Sequence, residues 1–392
     1  MTARRVLLAI GSMGGGGSER QLLSVLEHLD RKRFAPELYV IYPGGELFEK
    51  VPADVPVHIF SQRCAITGWS APGAVHRARV RDMAHVLRER SIDVVYDRTF
   101  HMTLTTAGAT QVRPTPRVSV IVSDPQHDLE ANLRRFRPVK RWLLRRAYRE
   151  ADVVGTVSDC VRSRAIDYYR LHADKVQTLY NFFDVDQMDT LARARAPDNL
   201  ARREGRFRIV AVGRLHPDKG FDVLVEAMRL VVYKRGQGRV ELVILGSGVG
   251  EAALRRQIHA AGLEDHVQLA GYQANPLPIV READLFCLPS RFEGMPNALV
   301  EALWCGVPVV ASDCYCGPRE ILQDGRLGCL VPAGDAEQLA AAIDDAVHHP
   351  ATWRSKSVEA RAYVQTTFAV QAGIDRVMHV LDDAIERFRR RT

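Results

Sequence analysis

The stretch Arg291-Phe292-Glu293-Gly294-Met295-Pro296-Asn297-Ala298-Leu299-Val300-Glu301-Ala302-Leu303-Trp304-Cys305-Gly306-Val307-Pro308-Val309-Val310 sets two carboxylates eight positions apart around a helix start. Pro296 suits a first helical position, where a missing N–H removes no helix bond, and Gly306 suits the left-handed residue that ends a helix. The pattern predicts a helix from about Pro296 to Cys305, with Glu293 in the loop ahead of it and Glu301 inside. A helix amino end offers free N–H groups and the positive end of the dipole, so an anion held there is a phosphate flanked by the two carboxylates. That suits a nucleoside diphosphate carrying a sugar: Glu293 accepts from sugar hydroxyls and Glu301 from both hydroxyls of a ribose. Taken alone, such a pair is more often one exposed loop Glu and one helix-surface Glu.

Outward from this stretch, apolar runs alternate with amphipathic ones. Candidate strands are Val6–Ile10, Leu38–Tyr42, Val94–Tyr96, Val118–Val122, Val153–Thr156 and Val176–Leu179, with helix-period segments such as Glu19–Leu29 and Val75–Arg90 between them. The rhythm restarts with Arg208–Val212, Val240–Leu245, Val267–Ala270, Leu285–Leu288 and Val307–Ala311, separated by helices such as Phe221–Lys234 and Glu251–Ala261. Strand then helix, repeated, calls for a parallel sheet covered on both faces. Residues 184–205 are polar, rich in Arg and Asp, and read as a linker between a first domain, 1–183, and a second, 206–370. A chain of 392 residues exceeds what one core supports, which agrees with two domains.

The composition, 46% hydrophobic and 26% charged, is that of an ordinary globular protein. No run approaches the ~20 apolar residues needed to cross a bilayer, and Val6–Ile10 reads as a first strand and not a signal peptide. The expected location is cytoplasmic, with possible peripheral attachment to the inner face of a membrane. The seven cysteines lack paired C-x-x-C spacing, and Cys314 with Cys316 has no matching ligands at zinc spacing, so a metal site carries little weight.

Glu-x7-Glu, followed by Cys-Gly-Val-Pro-Val-Val and Cys-Gly-Pro-Arg-Glu-Ile, resembles the donor-site signature of glycosyltransferase family 4, retaining enzymes of the GT-B fold. Val212-Gly213-Arg214-Leu215, Asp218-Lys219-Gly220-Phe221, Leu245-Gly246-Ser247-Gly248 and Gly271-Tyr272 fall in the family's order. The resemblance is strong over about residues 205 to 335 and weaker upstream. It implies GT-B architecture: two facing Rossmann-like doubly wound parallel-sheet domains with an inter-domain cleft. It also implies that the final helix, about 371–392, packs back onto the first domain.

Arg214 and Lys219 fall in the turn after a strand, where fixed cations offset the charge that develops on a departing β-phosphate without Mg²⁺. The resemblance gives the matching Arg and Lys that role, and implies front-face attack in which a donor phosphate oxygen takes the acceptor proton. Glu293 then orients the sugar hydroxyls. Gly294, Met295, Pro296, Asn297, Ala298 and Leu299 bind sugar or phosphate, with Gly246, Tyr272 and Glu301 completing the donor set.

Gly14-Gly15-Gly16-Gly17-Ser18-Glu19-Arg20 follows the first strand and opens a helix, a loop in which backbone N–H groups approach a phosphate closely. Glu19 stands where a dinucleotide fingerprint needs its third glycine, and Pro43-Gly44-Gly45 closes the second strand in place of an acid, which disfavours a dehydrogenase. In the family the matching loop lies against the donor diphosphate, a role carried to Gly15 and Gly16. Members often bring a histidine from the first domain to the donor sugar; His127 is the candidate here, with His101 competing as an acceptor-side residue.

Between Glu130 and Glu150 basic residues gather around Phe136, Val139, Trp142, Leu143 and Leu144. They form either a solvated helix or a face for an anionic membrane or lipid-diphosphate acceptor. No nucleic-acid motif accompanies them. The sequence thus predicts a retaining, metal-independent transferase that takes a nucleotide sugar, UDP-linked, to a saccharide or lipid-linked saccharide. The alternatives are a GT-B nucleotide-sugar epimerase, a phosphorylase, for which no pyridoxal lysine motif is seen, and a catalytically silent sugar-binding protein.

Overall fold

The computed structural model describes residues 3–63, 73–132 and 137–391. Arg134, Arg135 and Phe136 of the basic segment lie outside them.

The chain divides into two compact units, the first comprising residues 1–183 and 370–392, the second 184–369. In the first, β1 (Arg4–Ile10), β2 (Phe34–Val40), β3 (Val57–Ile59), β4 (Val94–Arg98), β5 (Arg117–Ile121), β6 (Val153–Thr156) and β7 (Val176–Thr178) form one parallel sheet in the order β3-β2-β1-β4-β5-β6-β7. Val6, Leu7, Leu8 and Ala9 of β1 are completely buried, as expected of a strand covered by helices on both faces.

The helix Val370–Arg391 packs on this first unit. It buries Ile374, Val377, Leu381 and Ile385, and Asp382 pairs with both Arg4 and Arg33 at the start of the sheet. Gly373 lets it come close: a Cβ there would lie 2.2 Å from Phe182.

In the second unit, β8 (Phe207–Val212), β9 (Val240–Leu245), β10 (Val267–Leu269), β11 (Leu285–Leu288), β12 (Val309–Asp313) and β13 (Cys329–Pro332) form a parallel sheet ordered β10-β9-β8-β11-β12-β13. The segment 184–205, expected to be a linker, belongs to this unit. It carries the helix Val185–Ala192, capped by Asp184, whose Asp189 accepts from Trp304 Nε1 at 3.0 Å. Buried Arg208 also donates to the carbonyls of Leu200 and Ala201 while paired with Glu241 at 2.6 Å. Polar composition suggested a linker because the apolar side chains it buries are few, Met188, Ala192 and Leu200, and the other fastenings run through backbone carbonyls and one carboxylate. With two such parallel α/β sheets, the fold is GT-B.

Candidate active site

In an open parallel sheet, ligands sit outside the carboxyl ends of the strands where the strand order reverses. The second sheet runs β8, β9, β10 in one direction and then restarts on the other side of β8 with β11, so its switch point lies between the loops that leave β8 and β11. Those loops carry Gly213–Gly220 and Pro289–Pro296.

Lys219 and Glu293 meet there. Lys219 Nζ donates to Glu293 Oε1 at 2.6 Å, and Ser290 Oγ donates to the same oxygen at 2.7 Å. The carboxylate is nearly buried and the lysine about one-fifth exposed, so removing either partner strands a charge, at a cost of roughly 3–5 kcal/mol. Arg291 locks the two loops in register. Its N–H donates to Asp218 O at 2.7 Å, its Nη1 to Pro217 O at 2.7 Å, and its guanidinium forms a two-pronged pair with Asp222 at 2.7 and 2.6 Å. The pair holds the Asp222 carboxyl below its usual range. Gly220, at φ +63°, is required because a Cβ would lie 2.0 Å from Pro289 O. Sequence reading singled out neither Arg291 nor Asp222, since an isolated Arg and Asp 69 positions apart carry no local signal.

The neighbouring loops are held as tightly. Leu215 N–H donates to Ser247 O at 2.9 Å and Gly246 N–H to Gly271 O at 2.8 Å, which binds the loops after β8, β9 and β10 together. At Gly246, φ +147°, a Cβ would lie 1.9 Å from Gly213 O. Tyr272, beside that junction, is 41% exposed. Arg214, in contrast, is exposed and forms no ion pair among the described residues.

The helix of the motif is Asn297–Trp304, and Pro296 is its N-cap with ψ 101°, not its first residue as expected. A proline at the cap keeps its own extended ψ and still offers its carbonyl, which accepts from Leu299 at 3.1 Å and Val300 at 3.4 Å. The N–H of Leu299 is therefore taken and its side chain completely buried, which leaves it no atom for a ligand. The Ala298 N–H has no partner among the described residues. Asn297, Ala298 and Glu301 are partly exposed, whereas Gly294, Met295 and Pro296 are buried. The far end closes as predicted: Gly306, φ +72°, donates to Leu303 O at 3.0 Å and Val307 N–H to Ala302 O at 3.2 Å, a Schellman motif. Cys314, also buried, has its thiol pushed up to about 12 by burial and then by the Glu293 charge, with Lys219 opposing. The loop after β12 presses on the motif at Gly317, φ +93°, where a Cβ would lie 2.6 Å from Pro296 Cδ and 3.0 Å from Gly294 O.

The first sheet has its own switch point, between the loops after β1 and β4. The glycine loop leaves β1, with Gly16 as N-cap of the helix Gly17–His28 and Gly15 just before it. Gly45, φ +105°, permits the loop after β2 to press on it, since a Cβ would sit 2.3 Å from Met13 O. After β4, Thr99 is held at φ +74° and His101 opens the helix Phe100–Val112, its ring 4.0 Å from that of Phe100. His127 lies in the helix Pro125–Asn132 after β5, with its N–H donated to Asp124 at 2.8 Å. His101 therefore stands at the first unit's switch point, and His127 one strand further along.

Two family patterns tile the chain: Glycosyltransferase Family 4 over residues 15–187 and glycosyl transferases group 1 over residues 192–364. The chain belongs to glycosyltransferase family 4. This family 4 chain is 31% identical over 198 residues to the Campylobacter jejuni N-acetylgalactosamine-N,N'-diacetylbacillosaminyl-diphospho-undecaprenol 4-alpha-N-acetylgalactosaminyltransferase, covering 49% of this chain and 50% of that protein. It is 33% identical over 228 residues to the GDP-mannose-dependent alpha-(1-6)-phosphatidylinositol monomannoside mannosyltransferase of Mycolicibacterium smegmatis, covering 54% and 57%. The chain thus spans about half the length of the curated relatives it matches. In fold it is similar to Anabaena HepE in complex with UDP-glucose, with a TM-score of 0.79 at 21% identity over 96% of this chain and 99% of that one.

Proposed function

We propose that this family 4 chain transfers a sugar from a nucleotide-sugar donor, UDP-linked, to a saccharide or lipid-linked saccharide in glycan assembly, with retention and without a metal ion. The observation that carries this reading is the Lys219–Glu293 pair at the β8/β11 switch point, beside the amino end of the helix Asn297–Trp304. The donor diphosphate lies along that end, where the Ala298 N–H and the Lys219 ammonium face its oxygens. Glu293 Oε1 already takes two bonds, which leaves Oε2 for a sugar hydroxyl. Gly246, Tyr272 and Glu301 surround the nucleoside.

In the chemical step, the bond between the anomeric carbon and the β-phosphate oxygen breaks while the acceptor hydroxyl bonds to the same face of that carbon. The acceptor proton passes to a β-phosphate oxygen. Lys219 stabilises the charge on the departing nucleoside diphosphate, and Arg214 swings in from solvent to join it. Of the two candidate histidines of the first unit, His101 is the one that stands at that unit's own switch point.

A panel of nucleotide sugars, scored by thermal stabilisation and slow hydrolysis, tests the reading, since a ligand bound to the folded state raises apparent stability by mass action. UDP-sugars are expected to stabilise the protein and release UDP; the absence of both effects with every nucleotide sugar, GDP-mannose included, would overturn it. Peripheral attachment to an anionic membrane has its own support. The helix Arg137–Glu150 leaves Val139 54%, Trp142 58% and Leu143 39% exposed, with Arg146 and Arg149 on the same outward face. Among the described residues no helix is long and apolar enough to cross a membrane.

A further inference from the structure

Lys219 and Glu293 come from loops 74 positions apart, and a lysine's flexible four-carbon stem does not by itself fix where its ammonium stands. Its place depends on the backbone that carries it and on the carboxylate it meets. The carrying backbone is one short turn of 3₁₀ helix, Pro217–Lys219, closed by the Lys219 N–H on His216 O at 2.9 Å and the Gly220 N–H on Pro217 O at 3.1 Å. The lysine stem runs along Gly213, where a Cβ would lie 3.7 Å from Lys219 Cγ. None of the three residues of the turn is buried, so packing does not hold it in place.

One residue does. Arg291 bonds on both sides of Lys219 along the chain. Upstream, its backbone N–H donates to Asp218 O and its Nη1 to Pro217 O, each at 2.7 Å; downstream, its guanidinium grips both carboxylate oxygens of Asp222 at 2.7 and 2.6 Å. Asp222 opens the helix Phe221–Arg229, and its carbonyl accepts from Gln257 Nε2 at 2.9 Å, which ties the clamp to the helix Glu251–Ala260. Arg291 also stands two positions before Glu293, so the residue that fixes the backbone of the cation shares a loop with the cation's carboxylate partner.

Magnitudes separate this from ordinary fastening. The side chains of Arg291 and Asp222 are 33% and 49% exposed, and ion pairs so placed add only about 0–1 kcal/mol to stability. Misplacing a group that must meet developing charge by about 1 Å costs on the order of 10²-fold in rate. We propose that Arg291, clamped on Asp222, is a positioning residue that sets Lys219 against the β-phosphate of the donor. It acts through the lysine. The inference rests on the glycosyl-transfer reading and deepens it by naming what holds the phosphate-binding cation.

The test is calorimetric titration of UDP and UMP, and of GDP and GMP, into the full chain, because each diphosphate differs from its monophosphate by the β-phosphate alone. The parent is expected to bind one diphosphate more tightly than its monophosphate. Arg291→Ala is expected to reduce that ratio about tenfold, weakening the diphosphate and leaving the monophosphate unchanged, and adding it to Lys219→Ala is expected to reduce the ratio no further than Lys219→Ala alone. Arg291→Lys is expected to recover little, since one ammonium cannot reach Pro217 O and both oxygens of Asp222 as a planar fork does. Should Arg291→Ala fold poorly, Asp222→Asn, which leaves the bonds of Arg291 to Pro217 and Asp218 available, is expected to lower the ratio severalfold. A merely structural role would weaken monophosphate and diphosphate alike and would add to the effect of Lys219→Ala; either result, or an unchanged ratio in the variants, overturns the inference. A parent that discriminates within neither pair removes the donor reading and the inference together, whereas discrimination that survives in the variants removes the inference alone.

Discussion

The two switch points are built on opposite principles. At the β8/β11 point, charge is matched within the protein: Lys219 with Glu293, Arg291 with Asp222, the loops stitched by backbone bonds. At the β1/β4 point the loop is glycine-rich and the helix that follows β4 opens without an acidic residue in its first turn. A paired site is preorganised before its ligand arrives and costs no reorganisation when charge develops, whereas an unpaired one gains its counter-charge only from the ligand. The difference separates a switch point fixed by paired charges from one framed by open backbone.

The sharpest way to break this contrast is at the pair itself. Lys219→Ala is expected to lower kcat by about 10²–10³-fold, as loss of one preorganised stabiliser of transition-state charge does, and also to lower the melting temperature because Glu293 is left buried and unpaired. Adding Glu293→Gln should recover much of the stability and none of the activity. Recovery of both in a transfer assay would mean the pair is structural only.

Next in size is backbone strain. Gly246→Ala forces a Cβ against Gly213 O at φ +147° and is expected to cost about 3 kcal/mol in urea denaturation. Gly14→Ala, where a Cβ meets nothing within 4 Å, is expected to stay within about 0.5 kcal/mol. Equal losses would erase the distinction between a stitched loop and an open one.

Smaller still is the membrane face. Trp142→Ala is expected to reduce sedimentation with phosphatidylglycerol vesicles severalfold, as the proposed peripheral attachment through this helix requires; unchanged sedimentation would remove that attachment.

The smallest effect is in pH. Arg291's hydrogen bonds hold the Asp222 carboxyl below its usual range, so its folded pKa lies under its unfolded one. The stability it contributes is present above the unfolded pKa and is lost as pH falls through the folded one. With Asp222 half exposed, screening limits this to a few tenths of a kcal/mol. Asp222→Asn is expected to flatten that part of the acid limb in a melting profile; an identical limb would remove the clamp from the account.

What could be read from the sequence divides along the same physical line. Strands buried on both faces, such as Val240–Leu245, apolar but for Glu241, and the wholly apolar Leu285–Leu288, were legible to the residue. The edge strands β3 and β13 were not, because they are short and half exposed and so carry neither an apolar run nor a clear alternation. The Lys219 turn and the Glu293 loop were visible as motifs because each is local. The Arg291 clamp was invisible because its partners come from another loop, and Pro296 was misplaced by one position because its ring fits an N-cap as well as a first turn. That His101 stands at the first unit's switch point and His127 one strand further along follows from strand order, which no single segment encodes.

The most direct test of the central claim is a crystal structure of the protein with UDP. The account predicts the β-phosphate within about 3 Å of Lys219 Nζ and of the Ala298 N–H, in the crevice between the loops after β8 and β11. A diphosphate bound outside that crevice, with the Lys219–Glu293 pair untouched, would contradict it.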